Sequence, residues 1–290
     1  MITLNNILII LTLTIFVYSC ASSIPRPKLE SLENDLFRHE SLTQYSLANL
    51  ELIKNQKNNE AIILCHKKKI NEGLNLLKTS FAQQKNHPLY WLHVGNCYYL
   101  NDNFDKAKFF YNISLETASK NEKHKAFAFN NLGIIYLKNN HILEARDYFE
   151  KSHKSNPDLI TPRYNLGQIY IRYGLLTEAL RLLSPLEAQN AKSIELLSAL
   201  GIIHTLDNNS KQALNYFQKI PPPIRKREDI ASAYALALYN LKDFAGAKEA
   251  LSQRQSLGIK EMDQMSSILM DEIDNEIKKL ETLNTKEKKK

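Results

Sequence analysis

The chain has 290 residues, of which 43% are hydrophobic and 24% are charged, and its formal net charge is +7. This length suits one large domain or two small ones, and the composition is too apolar for a mainly disordered chain. Three Cys exclude a small scaffold held by disulfides, and eight Gly leave little material for a phosphate-binding loop. Residues 278–290 hold six Lys against two Glu, so much of the positive charge is terminal and does not indicate a nucleic-acid groove.

The first predicted element is an export segment. Residues 7–18 form an apolar run of 12. A membrane-spanning helix needs about 20 such residues, whereas a shorter run is typical of a signal peptide. The sequence VYSCA follows at 17–21 and resembles the lipobox of bacterial lipoproteins. The resemblance implies that residues 1–19 are removed and that Cys20 is acylated on sulfur. The alternatives are an ordinary secretory signal and a short uncleaved anchor.

Two segments connect the export segment to the body of the chain. Residues 20–28 contain two Pro and two Ser and are predicted to be a flexible tether. Residues 29–53 place Leu, Phe and Ile at roughly helical spacing, which predicts one or two N-terminal cap helices. Ala21 is not the Asp that retains lipoproteins at the inner membrane of some bacteria. The lipoprotein resemblance therefore implies the periplasmic face of the outer membrane.

The body of the chain is repetitive. Four of the eight glycines are spaced by 38, 34 and 34 residues, and an Ala follows each of them after 12 residues. A large side chain comes four residues after each Ala. This register predicts antiparallel helix pairs that cross closely at small residues and stack on one another to bury their apolar faces. The predicted repeat-packing residues are Gly95, Ala107, Gly133, Ala145, Gly167, Ala179, Gly201 and Ala213.

The third copy identifies the kind of repeat, since it carries Phe129, Leu132, Gly133, Tyr136, Ala145, Phe149 and Pro157. It resembles the tetratricopeptide repeat (TPR). The resemblance implies an all-α fold, a right-handed TPR superhelix or α–α solenoid of about six helix pairs with helical caps. Weaker copies extend the frame in both directions, and polar residues in 119–125 are predicted to lengthen a helix end or a loop. The predicted units one to six are 54–87, 88–121, 126–159, 160–193, 194–227 and 228–261.

The C-terminal part is predicted to close the solenoid. Residues 262–284 are amphipathic and predict a capping helix. The residues predicted to cover the last unit are Met262, Met265, Ile268 and Leu269, followed by Ile273, Ile277 and Leu280. Residues 285–290 predict a basic, solvated tail. Contact of this tail with anionic lipid or peptidoglycan is an alternative.

Residues suited to chemistry are few. No His pairs closely with a Cys or an acidic residue at ligand spacing, and no nucleophile or phosphate-loop motif is present. The sequence therefore predicts no enzyme, with no catalytic, cofactor or metal site. Cys65 and Cys97 fall in the first helices of adjacent units. Buried free thiols are the simpler expectation, and a disulfide is the alternative that an oxidising envelope permits.

The TPR resemblance implies a groove on the concave face, formed by fixed positions of each first helix. Its mixture of amides, rings, aliphatic chains and cations suits a protein or peptide ligand, rather than a small molecule or nucleic acid. The carboxylate clamp of some TPR chaperone adaptors is not expected, because Leu92, Thr161 and Asn165 stand at its basic positions. The predicted groove residues are Leu92, Asn96, Tyr99, Asn130, Ile134, Lys138, Tyr164, Gln168 and Arg172.

These features predict a non-catalytic interaction scaffold or adaptor that is lipid-anchored in a bacterial envelope. Among TPR lipoproteins, the chain resembles the secretin pilotins of type IV pilus systems in its number of units and its size. That resemblance implies a role in assembling an envelope machine such as the pilus secretin. The alternatives are an adaptor for peptidoglycan hydrolases and a component of outer-membrane protein assembly.

Overall fold

A computed structural model describes residues 57–256 and 260–287. The predicted signal peptide at 1–19, with the lipidation site Cys20, lies outside these residues. So do the predicted tether at 20–28 and the predicted cap at 29–53, and these remain predictions.

The described residues form helices that follow one another in antiparallel pairs, with one helix pair in each predicted unit. The last helix, α15, follows unit six. Short helical segments occur before units five and six. In chain order the helices are α1 (Lys57–His66), α2 (Ile70–Gln84), α3 (Pro88–Leu100), α4 (Phe104–Ala118), α5 (Glu122–Lys138), α6 (Ile142–Ser155), α7 (Ile160–Arg172), α8 (Leu176–Leu183), α9 (Glu187–Asn190), α10 (Ile194–Leu206), α11 (Ser210–Gln218), α12 (Pro222–Arg225), α13 (Glu228–Asn240), α14 (Phe244–Ser252) and α15 (Lys260–Glu287).

The turn between the two helices of each unit has the same backbone form throughout. Its central residue has a positive φ, and a backbone N–H just beyond it bonds back to the first helix. In unit two, Asn103 N–H donates to the carbonyl of Tyr98 at 2.9 Å. This left-handed cap reverses the chain sharply and satisfies carbonyls at the end of the first helix. The residues with positive φ in these turns are Lys68, Asp102, Asn140, Gly174, Asn208 and Lys242.

The helices of a unit cross at the predicted small residues. A Cβ placed on Gly133 would lie 2.7 and 2.8 Å from ring carbons of Phe149 in the facing helix. The same relation holds between Gly95 and Tyr111, and Ala145 and the other three predicted alanines are fully buried. The glycine therefore faces the large side chain of its partner helix, and the alanine lets the two backbones approach.

Units one and two are joined covalently. Cys65 of α1 and Cys97 of α3 form a disulfide with a Cα–Cα distance of 5.2 Å, and both residues are fully buried. The expectation of free thiols was wrong. Adjacent first helices bring the two side chains together, since Cys97 follows Cys65 by 32 residues, close to one repeat length.

The extra residues between units two and three lengthen a helix. The predicted unit begins at residue 126, whereas α5 begins at Glu122 and has 17 residues. Asn121 caps it, because its side chain accepts a hydrogen bond from the backbone N–H of His124 at 3.1 Å.

The terminal helix α15 covers unit six with only part of the predicted apolar face. Met265 and Ile268 are 70% and 56% exposed, so their predicted packing role was wrong. The predicted Ile273 is fully buried against unit six, with the predicted Leu269 and Ile277 and with Met270 beside it. The predicted Leu280 is 46% exposed. The helix continues to Glu287, three residues into the predicted tail. Neither α15 nor any other described helix is both long and apolar enough to cross a membrane.

Candidate ligand-binding surface

The predicted groove residues lie on the first helices of units two, three and four. Four of them are buried: Leu92, Asn96 and Asn130 are at most 1% exposed, and Ile134 is 8% exposed. Leu92 packs in a cluster with Phe127, and Ile134 packs with residues of unit four. The prediction that these four side chains meet a ligand from an open groove is therefore corrected, because neighbouring units enclose them.

The other five predicted residues reach the surface. Lys138 and Arg172 are exposed at the last turns of α5 and α7, at equivalent places in the repeat frame. Tyr164, Gln168 and Arg172 follow one another at four-residue intervals and so share one face of α7. Tyr164 and Gln168 are half-buried, and so is Tyr99 on α3.

The structure brings Tyr99 and Lys138 together across two units. The Lys138 ammonium lies 5.1 Å from the centre of the Tyr99 ring and 5.8 Å from that of Phe104. A cation over an aromatic face is attracted by the negative face of the ring. This contact directs the long Lys138 side chain back over unit two. Tyr164 packs instead against the apolar cluster centred on unit five.

Beneath these residues, four buried amides form a ladder across units two to four. Asn96 Oδ1 accepts hydrogen bonds from the Tyr111 hydroxyl at 3.0 Å and from Asn131 Nδ2 at 3.1 Å. Asn131 Oδ1 accepts from Asn130 Nδ2 at 3.3 Å, and Asn130 Oδ1 accepts from Asn165 Nδ2 at 3.0 Å. Since each bond between units joins consecutive first helices, the ladder fixes their mutual register.

The ladder begins at an unsatisfied donor. Asn96 Nδ2 is buried and has no acceptor among the described residues. Burial, followed by the charge of Tyr99, raises the pKa of Tyr111 well above its usual range, so this hydroxyl stays neutral and donates to Asn96. An unsatisfied buried N–H costs roughly 1–3 kcal/mol. The free energy of the structure would therefore fall if an acceptor reached this end of the ladder.

Sequence reasoning did not include Asn131, Asn165 and Tyr111 among the site residues. A signal for the amides was present, because Asn96, Asn131 and Asn165 recur at intervals of 35 and 34 residues. In the described segments no group of three His, Cys, Asp or Glu side chains is arranged to hold a metal ion.

Comparison with known families identifies the repeat. Residues 87–158 and 136–203 each match a family model described as a tetratricopeptide repeat. The fold is a TPR superhelix. None of the curated protein sequences compared with the chain gives a match.

Solved structures resemble this TPR superhelix over most of the described residues. PilF of Pseudomonas aeruginosa has a TM-score of 0.58 at 13% identity, and the match covers 73% of this chain and 97% of PilF. PilW, a type IV pilus biogenesis factor, has a TM-score of 0.56 at 18% identity, with coverage of 73% and 97%. YrrB, a TPR protein with an unusual peptide-binding site, has a TM-score of 0.52 at 18% identity, with coverage of 66% and 95%.

At these identities the likeness establishes the fold alone. TPR proteins bind protein or peptide ligands, and the prediction of a protein-interaction scaffold agrees with this fold.

Proposed function

We propose that this protein is a lipid-anchored TPR adaptor of a bacterial envelope, which holds a protein or peptide segment on units two to four. Its role is to assist the assembly of an envelope machine such as a type IV pilus secretin. It binds this partner without converting it chemically.

The observation that carries the proposal is the surface formed by Tyr99, Lys138, Tyr164, Gln168 and Arg172 above the amide ladder. Tyr and Arg are the residue types that contribute most at protein interfaces. Arg172 is exposed and has no ion-pair partner in the described part of the chain. The two cations favour a segment that carries acidic groups, and the rings favour apolar side chains in the same segment.

The disulfide supports a location outside the cytoplasm. Structural disulfides form and persist in oxidising compartments such as the bacterial periplasm and are rare in reducing ones. The buried Cys65–Cys97 bond therefore agrees with the export segment at 7–18. The pilus role is supported by the likeness to PilW and PilF, which extends over 97% of each of those chains.

The ligand surface is tested with the double variant Tyr164→Ala, Arg172→Ala. We expect it to lose capture of the secretin in pull-downs from envelope extracts while its circular dichroism and thermal midpoint stay close to those of the wild type. The matched control is Leu143→Ala, Lys211→Ala, which removes one exposed apolar and one exposed cationic side chain from second helices. Retained capture by the first variant would move the partner site away from this surface.

The anchor is tested by mass spectrometry of the mature protein. We expect a chain that starts at Cys20 and carries the added mass of acyl chains, and we expect a Cys20→Ser variant to lose that mass. A mature chain that begins at another residue, or that carries no acyl group, would contradict the lipoprotein proposal.

A further inference from the structure

A set of stacked aromatic rings forms one surface of units one and two. Trp91 stacks on Phe110 with ring centres 5.8 Å apart, and Phe110 stacks on Tyr98 at 5.3 Å. Phe81 meets the edge of Trp91 at 6.1 Å, and Phe109 meets Phe110 at 5.2 Å. These five residues are called the aromatic face below. They come from α2, α3 and α4, so the face spans the junction of the two units.

The outer rings of the aromatic face are open to solvent. Phe109 is 60% exposed and Phe81 is 45% exposed, whereas Trp91, Tyr98 and Phe110 are half-buried beneath and between them. Isolated exposed apolar residues are ordinary on protein surfaces, but contiguous patches mark sites of interaction. Because the rings contact one another in a continuous series, this face is a patch.

Lysines surround the aromatic face. Lys78 and Lys85 lie three residues before and four residues after Phe81, and therefore on the same side of α2. Lys106 lies three residues before Phe109, and its ammonium stands 5.2 Å from the centre of the Tyr98 ring. These three lysines are exposed and form no ion pair within the described part of the chain.

Acidic side chains near the face are fewer. Asp105 forms an ion pair with Lys108 at 3.0 Å, and Glu116 lies two turns farther along α4 than Phe109. Over residues 57–118 the chain carries eight Lys and five Asp or Glu, an excess of three positive charges. The rim of the face therefore attracts anions.

We propose that the aromatic face lies on the anionic phospholipid surface of the membrane to which the protein is anchored. Trp and other aromatic rings favour the headgroup level of a bilayer, where an apolar body and a polar edge are both satisfied. The Trp91 N–H already donates to the backbone carbonyl of Lys85 at 2.8 Å, so the indole can enter the bilayer boundary without an unpaired donor. Each Lys near an anionic surface adds about 1 kcal/mol of attraction.

The inference rests on the proposed anchor. Lys57, the first residue of α1, follows Cys20 by only 37 positions, so units one and two are the units closest to the acylated residue along the chain. Docking of this face would hold the solenoid in one orientation relative to the bilayer.

Trp91 is the only Trp in the chain, which makes its fluorescence a direct probe of the face. The acylated full chain is reconstituted into vesicles of phosphatidylcholine and phosphatidylglycerol whose acyl chains carry bromine near the carbonyl end. We expect quenching of Trp91 emission in these vesicles, and less quenching at high salt or without phosphatidylglycerol. Each Lys→Gln change at positions 78, 85 and 106 should lower the docking equilibrium constant about fivefold.

Two variants separate docking from anchoring. Phe81→Ser, Phe109→Ser should abolish the quenching while the protein still sediments with the vesicles. The control Leu143→Ser, Leu206→Ser removes two exposed apolar residues, 58% and 48% exposed, from other units and should leave the quenching unchanged.

Three results would overturn the proposal. Unquenched Trp91 in a wild-type protein that sediments with vesicles would show that the face is off the bilayer and would leave the anchor intact. Failure of the acylated protein to sediment would refute the anchor and the docking together. A dimer in detergent that the Phe81→Ser, Phe109→Ser change converts to monomer, without quenching in vesicles, would assign the face to a second copy of the chain.

Discussion

At the residue scale, the tightest packing in each unit is between a glycine of the first helix and a large side chain of the second. Gly133 shows this in unit three, because a Cβ at this position would lie 2.7 Å from Cε1 of Phe149, which is fully buried. A buried ring cannot move aside without displacing the neighbours that enclose it, since protein interiors are close-packed.

We expect Gly133→Leu to lower the free energy of unfolding by about 1–3 kcal/mol through overpacking. Urea denaturation followed by circular dichroism measures the loss. The control is Gly174→Asn in the turn before α8, where a Cβ would meet no atom within 4 Å and Asn tolerates the φ of 70°. An unchanged midpoint for Gly133→Leu would mean that the two helices do not cross at this residue.

His66, at the end of α1, makes the stability of unit one depend on pH. Burial, followed by the charge of Lys68, lowers the pKa of His66 from its ordinary value of 6.5 to about 4. The folded protein therefore binds this proton less readily than the unfolded chain does. The contribution of His66 is fully present above pH 6.5 and is lost as the pH falls from 6.5 towards 4.

Lowering the pH from 7 to 4.5 should therefore cost about 2–3 kcal/mol of stability through His66 alone. We expect His66→Gln to remove this part of the pH dependence, because Gln does not titrate. The measurement is the urea midpoint of both proteins at the two pH values. Parallel losses in the wild type and the variant would assign the pH dependence to other groups.

At the element scale, the disulfide joins α1 to α3 and so fastens the first unit to the second. A cross-link that closes a loop of about 32 residues reduces the entropy of the unfolded chain, and loop-closure entropy alone gives a stabilisation of about 3.7 kcal/mol. Unit one needs this support, since in the described segments it contacts a neighbouring unit on one side only. Units farther along the array are held on both sides.

Cys65→Ala, Cys97→Ala should therefore destabilise the N-terminal end selectively. We expect amide hydrogen exchange in α1 and α2 to speed up, while α13 and α14 keep their wild-type protection. Reduction of the wild-type bond by dithiothreitol should reproduce the change. Equal loss of protection in both ends would show that the disulfide stabilises the solenoid as a whole.

The helix pairs could be predicted from the sequence, because the small and large residues that meet at each helix crossing recur at nearly constant intervals along the chain. The covering face of α15 could be predicted only in part. Leu269, Ile273 and Ile277 pack on unit six as expected, but Met265 and Ile268 do not, because apolar residues lie on more than one side of this helix. On the side of α15 that faces unit six, the hydroxyls of Ser266 and Ser232 lie 2.9 Å apart and Ile273 is buried, whereas Met265 points outward. A serine pair 34 residues apart carries no hydrophobic signal.

The candidate site could be predicted only in part for a related reason. Lys138 and Arg172 lie at the ends of α5 and α7, at positions that follow from counting along the repeat frame, and their contact with a ligand stays a prediction. Burial of Asn96 and Asn130 depends on how closely adjacent units approach. The distance between adjacent units is set by the packing at their interface, and the residue pattern within one unit does not describe that packing.

At the scale of the whole molecule, the first and last described units are held in place by different interactions. The disulfide joins unit one to unit two. At the other end, Arg254 lies 3.3 Å from the fully buried carboxylate of Glu228 and 3.3 Å from Asp263 at the start of α15. The backbones of Arg227, just before α13, and Gln255, just after α14, also form a parallel β-bridge. This bridge connects the start of unit six to its end.

Because a repeat array is held mainly by contacts between neighbours, lesions at the two ends should act independently. Arg254→Leu removes a counter-charge from buried Glu228 and should cost about 1–3 kcal/mol, less than a fully buried pair because Arg254 is partly exposed. Combined with Cys65→Ala, Cys97→Ala, its effect should add to within about 0.5 kcal/mol. Combined with Gly133→Leu, the Cys65→Ala, Cys97→Ala change should instead show coupling, since units two and three pack directly on one another. A double-mutant cycle in urea measures both sums. Strong coupling between the two end lesions would contradict this prediction and would mean that the intervening units transmit a disturbance from one end to the other.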